Sequence, residues 1–303
     1  MTESSAVVLE RTGSTLRLLQ QGREITAVLR GSLKHRSERD RVAVGDRVEL
    51  DGGDPEGTVG IVGVRPRRNV LERRTPDGRA AQPIAANVDQ VFVLAAVARP
   101  DPLPRLMDRL LVIAELNTIP AALLINKIDL GDPEPLAERF RRAGYEVHLV
   151  SAQSGEGVAA MAERMAGRES ILAGPSGVGK SSLLNRIQPG LGLRTAEVSQ
   201  RILRGRHTTA AAVMVPLDQG GFVVDTPGFS EAGLWGVEPR DLGWFFREFR
   251  PFAEHCHFAD CRHLTEPDCA VRAAAAAGTI AADRLDSYHA LLQEVGDAPR
   301  HWE

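Results

Sequence analysis

GPSGVGKSS, Gly174 to Ser182, decides the fold. It follows the apolar run Ser170 to Ala173 and opens a segment of helical length, Lys180 to Ile187. In that setting it reads as the strand–loop–helix of a phosphate loop rather than a chance glycine-rich turn. Glycines at 174, 177 and 179 let the loop formed by Gly174, Pro175, Ser176, Gly177, Val178 and Gly179 curl, so that backbone N–H groups point at phosphate oxygens. Lys180 would reach the β and γ phosphates, and the Ser181 hydroxyl, followed by Ser182, would ligate Mg²⁺.

Working outward, the neighbouring motifs name the base. NKID, Asn126 to Asp129, places Asp129 to accept two hydrogen bonds from the N1–H and exocyclic amine of guanine, a pair adenine lacks. Asn126 would bond the base and the neighbouring loop, and the Lys127 stem would cover the ring. SAQSGEG begins at Ser151, and Ser151 and Ala152 would offer a backbone N–H to the guanine oxygen. DTPG, Asp225 to Gly228, supplies a carboxylate that holds Mg²⁺ through water and a glycine N–H that senses the γ-phosphate. GRHTT, Gly205 to Thr209, reads as a first switch, in which Thr208 or Thr209 ligates Mg²⁺, with Thr209 preferred. Phe229 stands where many GTPases carry a water-positioning Gln. His207 is the in-chain candidate for that catalytic task, with a solvent-exposed switch histidine as the competing reading. In such GTPases the phosphate loop comes first and the base-reading motifs last; here the order is rotated.

The strand runs Val88 to Ala96, Ala121 to Ile125, Glu146 to Val150, Ser170 to Ala173 and Phe222 to Val224 alternate with helix-length segments, as in a mostly parallel sheet covered on both faces. Residues before about Thr75 instead show short alternating stretches punctuated by glycine, which suggests a small barrel of OB or SH3-like type. Between Arg11 and Arg79, fifteen Lys and Arg stand against ten Asp and Glu, although the whole chain carries a net charge of only −3. That local excess is either a solvated Arg-rich surface or a footprint for nucleic acid. At 303 residues the length suggests about two domains. No apolar run is long enough to span a membrane and the start lacks the blocks of a secretory signal, so a cytoplasmic protein is expected.

All three cysteines fall in HCHFADCRHLTEPDC. Cys256, Cys261, His263 and Cys269 spell C-x₄-C-x-H-x₅-C, a set suited to one structural tetrahedral Zn²⁺, with His255 and His257 as rival ligands by spacing. The alanine-rich stretch Val271 to Ala277 beyond it reads as helix.

Together these motifs, with LRG (Leu29 to Gly31), VGDRV (Val44 to Val48), NVDQ (Asn87 to Gln90), DTPGF and EPDCAV, resemble the ribosome small-subunit-dependent GTPase A family (RsgA, also called YjeQ or YloQ), whose members are circularly permuted GTPases. The likeness spans nearly the whole chain. It implies an N-terminal OB-fold barrel (1–78), a central permuted α/β P-loop GTPase domain (79–233) and a C-terminal helical zinc-binding domain (234–303). It implies hydrolysis of GTP to GDP and phosphate, stimulated by the small (30S) ribosomal subunit, whose late maturation the family assists. The partners expected are GTP or GDP and that subunit with its rRNA; no membrane is expected, and the protein would be a monomer. The family's nucleotide residues carry over at Asn126, Lys127, Asp129, Gly174, Gly179, Lys180, Ser181, Thr209 and Asp225, and its zinc ligands at the Cys₃His set. Ala210 departs from the family's threonine run. A GTPase acting on another RNA and a GTP-gated RNA-binding protein share the same motifs. In the rotated order DTPGF runs straight into the C-terminal module, so GTP loss is expected to be felt there first, with the barrel entering the sheet from its other end.

Overall fold

A computed structural model describes residues 5–35, 37, 40–52, 58–75, 80–191, 212–226, 229 and 233–297. Five strands form the N-terminal barrel: β1 (Ser5–Thr12), β2 (Thr15–Gln20), β3 (Arg23–Leu29), β4 (Arg47–Leu50) and β5 (Val59–Val64). β1, β2 and β3 pair antiparallel in sequence, β3 pairs parallel with β5, and β4 joins β5 back to β1. This closed 1-2-3-5-4 order is the OB type of five-stranded barrel, the choice periodicity leaves open. β1 itself does not alternate in hydropathy, because both its faces are buried. Ala6 and Val8 point into the barrel core, while Leu9, with Val7 beside it, joins the core of the α/β unit.

A hairpin of β6 (Val70–Arg74) and β7 (Ala81–Ala86) leads from the barrel into a second sheet. Its strands are β8 (Gln90–Ala96), β9 (Ala121–Asn126), β10 (Val147–Leu149), β11 (Glu169–Ala173), β12 (Val213–Pro216) and β13 (Phe222–Asp225). The order is β10-β9-β8-β11-β13-β12, all parallel except β12. Successive residues of β8 serve opposite faces. Val91, Val93 and Ala95 pack with α1 (Pro104–Leu116), whereas Phe92, Leu94 and Ala96 pack with α3 (Val158–Met165) and α4 (Lys180–Ile187). Burial on both faces explains why the run reads as continuously apolar rather than alternating.

VGDRV and NVDQ stitch the units together. Gly45 has φ of +86°, and a Cβ there would lie 2.2 Å from the Ala86 carbonyl oxygen, so only glycine fits. Asp46 is fully buried and accepts two hydrogen bonds from Arg67, at 2.7 and 2.8 Å. The Asn87 side chain accepts from the Arg68 N–H and donates to the Gly45 carbonyl, and Gln90 donates to Ser170 Oγ. These motif residues hold interfaces and do not touch the phosphate loop.

The chain after residue 233 contains 3₁₀ turns at Leu242–Phe245 and Arg247–Phe249, then α5 (Arg250–Ala253), α6 (Ala270–Ala276) and α7 (Ala282–Asp297). Phe246, Phe249 and Tyr288 form its aromatic centre. The module is clamped on α1 and on α2 (Glu134–Arg142). Asp108 of α1 binds Arg139 of α2 in bidentate fashion and also Arg284 of α7, while Arg284 pairs with Glu248. Glu115 of α1 takes Arg247 and Arg250. The barrel, for its part, meets the sheet at β12, where Glu10 pairs with Val213, so barrel and α/β unit form one eleven-stranded sheet. The expected wiring therefore changes: the strand beside β13 leads to the barrel, and the C-terminal module leans on the helices that flank NKID. Among the described residues no helix is long and apolar enough to cross a membrane.

Candidate nucleotide-binding site and metal cluster

The parallel register brings every described motif to one edge. Ala96 lies opposite Asn126, Leu149 opposite Ile125, Val93 opposite Ala173, and Leu172 opposite Asp225. Loops that leave the carboxyl ends of neighbouring strands converge on a common crevice, and here those loops are NKID, SAQSGEG, GPSGVGKSS and the start of DTPG.

Asn126 clips the NKID and SAQSGEG loops to the phosphate loop. It is 1% exposed, donates to the Val178 carbonyl at 2.9 Å and accepts from the Ala152 N–H at 3.1 Å. Gly179 makes that approach possible. Its φ is +98° and a Cβ would lie 2.3 Å from Asn126 Nδ2. Lys127 donates to the Gly177 carbonyl at 2.8 Å and to the Arg99 carbonyl, which stretches its stem towards the phosphate loop. The Ser151 N–H goes to the Glu156 carbonyl, and the Ala152 N–H to Asn126, so a guanine oxygen would compete with Asn126 for the latter. The hydroxyl of Ser151, a feature the motif alone does not reveal, donates to Asp129 Oδ1 and accepts from the Ser154 N–H. It fixes one carboxylate oxygen and leaves the other free to face a ligand from the exposed side of Asp129.

At the phosphate end, Lys180 opens α4 and donates to the Gly174 and Pro175 carbonyls at 2.7 and 3.0 Å. Burial pushes its ammonium below the ordinary lysine range, against the pull of Asp225. Burial likewise raises the Asp225 carboxyl, with Lys180 and the Thr226 N–H opposing. Two half-buried groups of opposite charge flanking one crevice suit an anion and its counter-cation. Ser181 follows Lys180 at the mouth of the same loop. Phe229 is 1% exposed and packed in the core, so its side chain cannot serve a water at the crevice. His207, Thr208, Thr209 and Gly228 lie outside the described residues.

In the C-terminal module, Cys256, Cys261, His263 and Cys269 bring their ligand atoms within 4.8 Å of one another, a set that could hold a metal ion. His263 presents Nδ1, 3.6 Å from the Cys256 sulfur and 3.4 Å from that of Cys269; the two sulfurs are 3.9 Å apart. Phe249 meets the ring edge-on, and Gly243 lies against it, where a Cβ would come within 3.2 Å of Nε2. Burial and the neighbouring sulfurs push the Cys261 thiol up to about 12, so a thiolate there requires a cation. Burial pushes His263 down and keeps it a neutral ligand. Neither rival, His255 nor His257, belongs to the group.

The fold and crevice define a P-loop GTPase whose strands run in circularly permuted order. The RsgA GTPase family model matches residues 64–235, and the chain belongs to that family. The small ribosomal subunit biogenesis GTPase RsgA of Gemmatimonas aurantiaca is 47% identical, over 97% of this chain and 98% of that one. The protein of the same name from Moorella thermoacetica is 41% identical, over 95% and 96%. Among solved structures, YjeQ from Thermotoga maritima superposes with a TM-score of 0.76 at 33% identity, covering 98% of this chain and 100% of that one. YloQ, described as a circularly permuted GTPase, gives 0.71 at 28% identity, covering 98% and 97%.

Proposed function

We propose that this GTPase binds the small ribosomal subunit in its GTP form, assists late maturation of that particle, and leaves after hydrolysing GTP to GDP and phosphate. The observation that carries the reading is the Asn126 clip, which locks a guanine-reading pair of loops onto a phosphate loop. The relatives named for small-subunit biogenesis match over nearly their full length and so include the barrel and the Cys/His module. In this reading the parts are 1–78, 79–233 and 234–303. The protein acts as a cytoplasmic monomer, and its barrel binds rRNA.

Within the crevice, Asp129 reads the base, Lys127 covers it, and Lys180 with the loop from Gly174 to Ser182 holds the phosphates. Mg²⁺, when bound, would neutralise charge on the transferring phosphoryl group; Ser181, Asp225 and Thr209 are the residues that would hold it. The hard oxygen donors of that set suit the ion. Zn²⁺ suits the Cys₃His set. Bonds of roughly 2.3 Å to sulfur and 2.0–2.1 Å to nitrogen give tetrahedral edges of about 3.8 Å and 3.5 Å, against the 3.9, 3.6 and 3.4 Å present. One zinc per chain is expected by elemental analysis. Cys269→Ser should lose the metal and the cooperative melting of the C-terminal module, since such sites contribute ~10–16 kcal/mol to folding. Full zinc retention in that variant would reject the ligand set.

With no glutamine after the DTPG turn, unaided turnover is expected on the order of 10⁻⁴ to 10⁻² s⁻¹. Purified small subunits should raise it, whereas large subunits and tRNA should not. Stimulation by either of those without stimulation by small subunits would overturn the assignment. A His207→Ala arm of the same assay tests the catalytic proposal: stimulated turnover should fall while GTP affinity holds, and an unchanged stimulated rate would make the histidine a bystander.

A further inference from the structure

His263 reaches the metal set on an unfavourable backbone. Its φ is +58°, in the left-handed region, although it carries a full side chain and is 4% exposed. A residue other than glycine stays there only where its surroundings over-determine it. In that conformation Nδ1 faces the sulfurs of Cys256 and Cys269. One carboxylate gathers the amides on both sides of the turn. Glu266, in EPDCAV, folds back so that Oε1 accepts from the Arg262 N–H at 3.0 Å. Its Oε2 accepts from the N–H groups of Leu264 and Thr265 at 2.7 and 3.1 Å. The carbonyls of the same turn are taken by α7, where the Tyr288 hydroxyl donates to Arg262 at 2.7 Å and His289 Nε2 donates to His263 at 2.9 Å. Glu266 is not itself a ligand, since its oxygens do not join the atoms that converge on the site. Burial would raise its carboxyl, but the backbone N–H groups around it outweigh that and hold it below the usual carboxylate range. Hydrogen bonds from backbone N–H groups to an ionised carboxylate are about twice as strong as those to a neutral acceptor.

We propose that Glu266 is the positioning residue of the metal loop: its carboxylate gathers the N–H groups flanking His263 and, with Tyr288 and His289 holding the carbonyls, fixes the left-handed turn that aims Nδ1 at the metal. The inference rests on the reading of the Cys₃His set as a zinc site and goes beyond it, because the four ligands alone leave the turn at His263 without a cause. Groups one step out from metal ligands orient them, and their loss costs metal affinity by about 10–100-fold. The helix that supplies Tyr288 and His289 also carries Arg284, one turn earlier, so the frame of the metal loop and the clamp on α1 share α7.

The test titrates full-length, zinc-loaded protein with the chromophoric chelator 4-(2-pyridylazo)resorcinol and reads the zinc transferred at equilibrium. Glu266→Ala should weaken zinc by about 10–100-fold. Glu266→Gln keeps one acceptor oxygen for three donors and should fall between the alanine variant and wild type. Asp260→Ala removes the same charge from the exposed residue beside Cys261, and it should bind zinc as wild type does. Equal losses in Glu266→Ala and Asp260→Ala would reduce the effect to missing negative charge and overturn the proposal. Wild-type affinity in Glu266→Ala would do the same. If the alanine variant does not fold, the glutamine variant decides, and wild-type zinc affinity there overturns the assignment. Amide hydrogen exchange on the same preparations separates positioning from general stability. In Glu266→Gln exchange should quicken at Arg262, Leu264 and Thr265 and stay as in wild type along α7; quickening across the whole module, or none, would reject the role. Wild type that takes up no zinc would sink the zinc reading itself, while the exchange pattern would still judge whether Glu266 holds the loop.

Discussion

Asp129→Asn should lose GTP and GDP by roughly 10⁴-fold, the scale on which a site built to hydrogen-bond its ligand rejects one it cannot pair. It should regain tight binding with xanthine nucleotides. The geometry makes the expectation directional. Ser151 donates its hydroxyl to Asp129 Oδ1, so that oxygen is held and the carboxylate cannot swing to find another partner. In the variant the amide oxygen still accepts from the guanine N1–H, but the NH₂ faces the exocyclic amine, donor against donor. Xanthine carries an acceptor at the position of that amine and restores the pairing. A titration of both nucleotide families with fluorescent analogues checks it, and undiminished GDP affinity in the variant would reject the base contact. Ser151→Ala separates orientation from contact. It removes one hydrogen bond to a charged group, worth about 1.5–3 kcal/mol, and should weaken guanine nucleotides without admitting xanthine.

That Asp129 stands out in the sequence reflects how local its chemistry is. A phosphate loop or a guanine-reading tetrapeptide is a contiguous run of side chains whose spacing carries the function. The strands of the second sheet were legible for a related reason: burial on both faces leaves continuous apolar runs such as Val91 to Ala96. What escaped reading is what depends on distant partners. The barrel's type is set by β4 closing onto β1 and by the parallel β3–β5 pair, and neither register leaves a mark in local alternation. β1 leaves no alternating pattern because its residues divide between two cores that local sequence gives no reason to separate. The Ser151 hydroxyl was overlooked in favour of its backbone because its acceptor is twenty-two residues away. The C-terminal module's seat on α1 and α2 follows from single arginines and carboxylates scattered between positions 108 and 284.

Arg284→Ala should be strongly destabilising. Arg284 is 1% exposed and lies between Asp108 and Glu248, both nearly or fully buried. Burial alone would push its pKa down, but the two carboxylates push it further up, so it stays charged. Asp108 is held below the usual carboxylate range because Arg139 and Arg284 outweigh its desolvation. Removing the guanidinium leaves Asp108 with Arg139 but strands Glu248. Breaking a buried pair in this way costs about 3–5 kcal/mol, which at this size corresponds to a fall in Tm of roughly 5–8 °C. Arg284→Met with Glu248→Gln should recover part of the loss, because it removes both charges and keeps the volume; failure to recover would show that the arginine's packing, against Phe246 at 4.8 Å, outweighs its charge. The position of the cluster adds a consequence for the nucleotide site. α1 precedes β9 and α2 follows NKID, so the helices braced by Arg284 flank the loop proposed to read the base. Coupling between two sites is reciprocal in binding free energy. If the brace steadies that loop, Arg284→Ala should weaken GDP and GTP alike, and GDP should raise the melting temperature of the variant less than that of the wild type. Equal nucleotide affinity in variant and wild type, measured below the variant's transition, would confine the brace to holding the two modules together.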